Sequence, residues 1–175
     1  MLLTDASEIL RMISADKYGI QIMKILLLNG PNLQLLGSRE PDIYGKTTLA
    51  TVVADVTALG EKLGIEVEAF QSNSEGELVT IIGNAGINGF SGIIINPAAY
   101  THTSVAIRDA ISAVALPAVE VHLSNVNSRE TFRHESFTAP VCIGVVAGFG
   151  AFSYQMALLA LAKHLGAGLP ELNCK

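Results

Sequence analysis

Two pairs of residues in this chain have the types and spacing to move protons. Glu120 and His122 stand two apart in an apolar, extended run, so both side chains leave the same face. A carboxylate beside an imidazole orients the ring and supports its cationic form, which is how a general acid near neutral pH is built. Arg39 and Tyr44 stand five apart in a polar loop over 37–45. A free phenol, with a pKa of about 10, is a poor base at neutral pH, but a neighbouring guanidinium stabilises phenolate and lowers that value. The alternatives are plain: strand-end polar groups that satisfy backbone, and a loop tyrosine packed on the surface.

Other polar residues fall at comparable places. Asn29 and Asn32 follow one apolar run, Asn96, Thr101 and His102 a second, and Ser124 and Asn125 the run that carries His122. Arg129 and Arg133, four apart on an expected short helix over 128–134, share a face. They either reach the same cleft or pair with acids on a neighbouring subunit. Both readings stay open for Arg129, and the cleft is preferred for Arg133. Asp109 reads as a solvated charge, and His134 and His164 as solvated or capping residues.

Metal and nucleotide chemistries find little support. The sequence has no His-Glu-x-x-His, no paired-cysteine knuckle and no Gly-x-Ser-x-Gly elbow, and Cys142 and Cys174 read as free thiols. Gly45-Lys46-Thr47 imitates the end of a phosphate loop, but Glu40 stands where that motif needs glycine. Gly148-x-Gly150 reads as a tight strand-to-helix turn, because Ser153 stands where a dinucleotide fingerprint wants glycine or alanine.

The elements that must position these residues alternate along the chain. Apolar runs at 25–28, 65–70, 92–95, 118–122 and 141–147 predict five strands. Helical periodicity follows Thr47 or Thr48 as far as Gly64, begins again at Glu75 and Glu77 with Gly86 and Gly89 as its end, follows Thr103 or Ser104, and spans 152–165. Strands alternating with helices predict an α/β fold, a doubly wound parallel sheet of flavodoxin-like order 2-1-3-4-5 with helices on both faces. In such folds ligands bind at the strands' carboxyl ends. The first of these ends opens into a connection over 29–46, far longer than the usual 2–6 residues, which suggests a lid. Residues 1–22 read as an appended helix or an extension of the reading frame, and 23–175 as a single catalytic domain.

Half of the 175 residues are apolar and 15% are charged, which suits a sheet covered on both faces or burial in an oligomer. The net charge of −5 supplies no basic stripe for nucleic acid. No apolar run approaches the roughly 20 residues of a membrane span, and residues 1–23 lack the pattern of a signal peptide, so a cytoplasmic protein is expected.

Five motifs together resemble the type II 3-dehydroquinate dehydratases. They are Asn29-Gly30-Pro31-Asn32-Leu33, Arg39-Glu40-Pro41 to Tyr44-Gly45, and Gln71-Ser72-Asn73-Ser74-Glu75-Gly76, then the run from Asn96 to Ser104 and the run from Glu120 to Asn125. Arg129-Glu130 and Phe132-Arg133 continue the resemblance. It implies a cofactor-free, metal-free dehydration of 3-dehydroquinate to 3-dehydroshikimate in the shikimate or quinate pathway, by a homododecamer of four trimers. Tyr44 would be the base, kept ionised by Arg39, and His122 the acid, oriented by Glu120. A water near Asn32 would hold the enolate, with Asn29 to Asn32 as the floor beneath it. Asn96 and the backbone amides of Leu123 and Ser124 would take the substrate carboxylate, and His102 and Arg133 the ring hydroxyls. Asp109 would enter from the adjacent subunit. Ala98-Ala99 replaces a small pair also associated with glycine.

A flavodoxin-like binding or electron-transfer module is the alternative from another class. It needs hydroxyl-rich phosphate contacts after the first strand, where this chain has Pro31, Leu33, Leu35 and Leu36. A lysine-imine route needs a lysine in the cleft motifs, and none of the lysines lies in them.

Overall fold

The computed structural model describes residues 22–37 and 47–168. Arg39, Tyr44, most of the expected extension over 1–22, and Cys174 lie outside the described residues. Strands β1 (Met23–Asn29), β2 (Ile65–Gln71), β3 (Gly92–Asn96), β4 (Ala118–His122) and β5 (Gly144–Ala147) form one sheet. All pairings are parallel and the order is 2-1-3-4-5, as the alternation of elements predicts.

The helices form where local signals direct them. Thr48 caps α1 (Leu49–Leu63), its side chain accepting the Thr51 amide, and Gly64 ends the helix at φ 70°. Ser74 caps α2 (Glu75–Gly83) in the same way, with Glu75 and Glu77 against the positive end of the dipole. Ser104 caps α3 (Val105–Val114), and α4 (Phe152–His164) closes the domain.

Alternation along each strand sorts side chains to two cores. Ile25 and Leu27 of β1, Ile94 of β3, and Val119 and Val121 of β4 face α1 and α4. Leu26 and Leu28, Ile93 and Ile95, and Ala118 face α2 and α3. Each fully buried leucine or isoleucine is worth about 1.5–3 kcal/mol. This two-sided burial explains why β1 and β3 carry unbroken apolar runs, Ile25 to Leu28 and Ile93 to Ile95.

Three predicted elements differ. The helix expected over 128–134 is instead a pair of 3₁₀ turns, Val126–Ser128 and Thr131–Arg133, with Arg129 extended between them. Asn125 accepts the Asn127 amide and Ser128 donates to the Asn125 carbonyl, side-chain bonds that compete with a continuous helix. The fifth strand starts at Gly144 instead of 141, because Pro140 sits in a 3₁₀ turn, Ala139–Val141, and has no N–H for a ladder. Helix α2 stops at Gly83, before Gly86 and Gly89.

Candidate active site

At the carboxyl ends of β1, β3 and β4 lies a cavity of about 200 Å³. Its floor comes from the turn after β1, where Asn32 takes a left-handed conformation (φ 66°) and its amide donates to Asn73 Oδ1 at 2.9 Å. Gly30 lets β1 meet β3 closely, since a Cβ there would stand 2.4 Å from the Pro97 carbonyl oxygen. Asn96 and the turn Ala98–His102 form one wall; Ala98 is itself left-handed at φ 51°, where a glycine would be unstrained. His122, Leu123 and Ser124 form the next wall, and Arg129, Glu130 and Arg133 the rim.

The Glu120–His122 pair has the geometry its spacing predicts. His122 Nε2 lies 2.7 Å from Glu120 Oε1, and Glu120 is buried behind the ring. Burial alone would raise the Glu120 pKa, but bonds from His122, Thr138 and Thr101 outweigh it and hold the carboxyl below its ordinary value. Thr101 Oγ1 donates to Oε1 at 2.7 Å, and Ser136 Oγ reaches both carboxylate oxygens at 3.1 Å. An ionised carboxylate accepts, so Nε2 carries hydrogen and Nδ1 is left for the cavity.

His102 is oriented by the same logic. Its Nδ1 lies 2.6 Å from the Glu135 carbonyl oxygen, which can only accept, so Nδ1–H donates and Nε2 remains for a ligand. Glu130 Oε2 accepts from Arg133 Nε at 2.9 Å and lies 3.4 Å from Arg129 Nε. Both arginines therefore reach the cleft without belonging to one helix.

Of the predicted site residues, the cavity brings together Asn32, Asn96, His102, His122, Leu123, Ser124, Arg129 and Arg133, with Glu120 behind. Asp109 is exposed on α3 and does not line it. Asn29 corrects the reading of 29–32 as floor: it is buried behind the cavity, donating to the Phe70 carbonyl at 3.3 Å and accepting from Tyr154. Sequence reasoning missed Ser136 and Thr138, assigned no role to Glu130, and passed over Tyr154 within an apolar helix. Among the described residues no group of three or more His, Cys, Asp or Glu could hold a metal ion.

The family model for dehydroquinase class II matches residues 23–162. The chain belongs to the class II dehydroquinase family. It is thus an enzyme, a lyase of the type II dehydroquinase kind, and the electron-transfer alternative is set aside. The 3-dehydroquinate dehydratase of Geotalea daltonii is 59% identical over 143 residues, covering 82% of this chain and 99% of that protein. The 3-dehydroquinate dehydratase of Clostridium perfringens is 54% identical over 143 residues, 82% of this chain and 98% of its own. The crystal structure of the type II dehydroquinase from Butyrivibrio crossotus superposes with a TM-score of 0.78 at 50% identity, covering 79% of this chain and 97% of that one. The type II dehydroquinase from Propionibacterium acnes gives a TM-score of 0.76 at 43% identity, covering 80% and 96%.

Proposed function

We propose that this dehydroquinase removes water from 3-dehydroquinate to give 3-dehydroshikimate through an enolate, as a step of the shikimate or quinate pathway. Tyr44, held as phenolate by Arg39, takes the proton from C2 beside the ketone. The electron pair moves onto the ketone oxygen, and a water near Asn32 donates to that oxygen. The enolate then re-forms the ketone and expels the C1 hydroxyl, which takes a proton from His122 and leaves as water. No oxidant, reductant or cofactor is required. Donors placed before the charge develops are worth several kcal/mol of barrier, about 3–4 for a single one.

The observation that carries this reading is the 2.7 Å His122–Glu120 pair, which leaves Nδ1 for the cavity. In the same reading Asn96 and the amides of Leu123 and Ser124 receive the carboxylate. His102, through Nε2, and Arg133 hold ring hydroxyls, and Arg129 adds positive charge at the rim. Asp109 contributes from an adjacent subunit of a dodecamer built as four trimers. Its exposure in the single chain agrees with such a role. Edge strand β5 also exposes Val145, with Ile143 before it and Phe149 and Phe152 beyond it, apolar surface of the kind that an interface covers.

No helix among the described residues is long and apolar enough to cross a membrane, and a cytoplasmic enzyme is proposed. The test is ultraviolet absorbance of the enone product from 3-dehydroquinate, repeated with Tyr44→Phe and His122→Ala. Both variants should lose turnover. Normal turnover by Tyr44→Phe would remove the assigned base, and borohydride inactivation in the presence of substrate would replace this route with an imine.

A further inference from the structure

An asparagine amide can show a ligand either an N–H or a carbonyl oxygen, and nothing in Asn96 itself decides which. The decision is traceable through the protein interior. Asn29 Nδ2 donates to the Phe70 carbonyl at 3.3 Å, so Asn29 Oδ1 is its acceptor end. That oxygen takes the Tyr154 hydroxyl hydrogen at 2.9 Å. With its only hydrogen used, the phenol oxygen must accept at its next contact, and Asn96 Nδ2 donates to it at 2.7 Å. Asn96 Oδ1 then accepts the Ala98 amide at 3.0 Å. One hydrogen on Asn96 Nδ2 is left, and Asn96 lines the cavity.

We propose that Tyr154 is a positioning residue: its hydroxyl, acting with the Ala98 N–H at the other end of the amide, holds Asn96 so that it offers the cavity a donor and selects an anionic end of the ligand. The inference rests on the proposed function, in which the substrate carboxylate lies against Asn96. Tyr154 is fully buried in the apolar core between the sheet, α1 and α4, where a phenylalanine ring would pack without an OH to satisfy. Parallel register places Asn29 beside Asn96, so one hydroxyl reaches both. Burial raises the phenol pKa, which keeps the hydroxyl hydrogen in place. Pro97, at φ −70° and ψ −10°, turns the Ala98 amide back onto Asn96 Oδ1 and closes the other end of the relay.

The test is a double-substitution cycle read by steady-state kinetics on 3-dehydroquinate, with Tyr154→Phe placed in the wild-type chain and in Asn96→Ala. In the wild-type background KM should rise about tenfold with kcat within about twofold, as expected for one hydrogen bond to a charged group. In Asn96→Ala the same substitution should leave KM unchanged. An equal loss in both backgrounds, a loss confined to kcat, or an unchanged KM overturns the proposal. Should Tyr154→Phe fail to fold by circular dichroism, Asn29→Ala keeps the phenol but frees its hydrogen to turn toward Asn96. Its KM should also rise only when Asn96 is present, and a normal KM overturns the proposal. A wild-type chain that makes no enone overturns the reading beneath and the proposal with it, whereas active wild type with indifferent Tyr154→Phe removes the proposal alone.

Discussion

The sheet carries a different polar network on each face, and both end at the same cavity. On the α1/α4 face the network is neutral: Asn29, Tyr154 and Asn96, two amides and a phenol in one directed relay. On the opposite face it is charged: Glu120, His122 and the hydroxyls of Thr101, Ser136 and Thr138. A neutral relay fixes which way a donor points. An ionised cluster fixes where a proton goes. Damage to the charged face should therefore appear in kcat, and damage to the neutral face in KM.

The largest break is His122→Ala, which should lower kcat about 10²- to 10⁴-fold, the usual worth of a positioned general acid. Measured beside the Asn96 variants, it would sharpen the comparison by moving kcat far more than KM. Comparable losses in KM from both faces would end it.

A second break is thermodynamic. Glu120 in the folded chain titrates below its ordinary value, so the unfolded chain takes up its proton first as pH falls. The stability this contributes is complete above about pH 4.5, the ordinary carboxyl value, and drains away as pH falls through the lower folded value. Urea melts from pH 6 down to 3 should show a decline that Glu120→Gln flattens and that Thr138→Val shifts to higher pH. Identical pH slopes for wild type and Glu120→Gln would mean that the carboxylate is not the group responsible.

A smaller effect reports the same charge from a distance. Burial, then the negative charge on Glu120, push the Cys142 thiol up to about 12. In a Cys174→Ser background, iodoacetamide should react with Cys142 at least about a hundredfold more slowly than with a model thiol at pH 8. Adding Glu120→Gln should quicken it, and an unchanged rate would argue against that charge. The smallest effect belongs to the rim. Glu130→Gln should leave the melting temperature nearly unchanged, since solvent screens its pairs with Arg129 and Arg133. KM should alter mildly and depend on salt.

Much of this was legible before any fold was described. The Glu120–His122 geometry needs only the two-residue period of a strand, and the caps at Thr48 and Ser104 fall within the pairs Thr47 or Thr48 and Thr103 or Ser104 that a hydroxyl before a periodic run picks out. The segment between β4 and β5 was harder to read. The spacing of Arg129 and Arg133 fits a helix, yet Asn125, Ser128 and Pro140 redirect the backbone into 3₁₀ turns by local bonds and a missing donor. Ser136 and Thr138 carry no motif, and only their approach to Glu120 gives them a role.

By itself, then, the sequence determined the order of the elements, the two-sided apolar core and the residues gathered at the strand ends, because periodicity and capping act over a few residues. Only the tertiary structure decided that Asn29 stands behind the cavity, that a tyrosine 125 positions away bonds to it, and that this phenol accepts from the Asn96 amide at the cavity wall. Those contacts depend on parallel register and on helix α4 packing over β3, β4 and β5, from which the Tyr154 hydroxyl reaches β1, distances in space that no local pattern encodes.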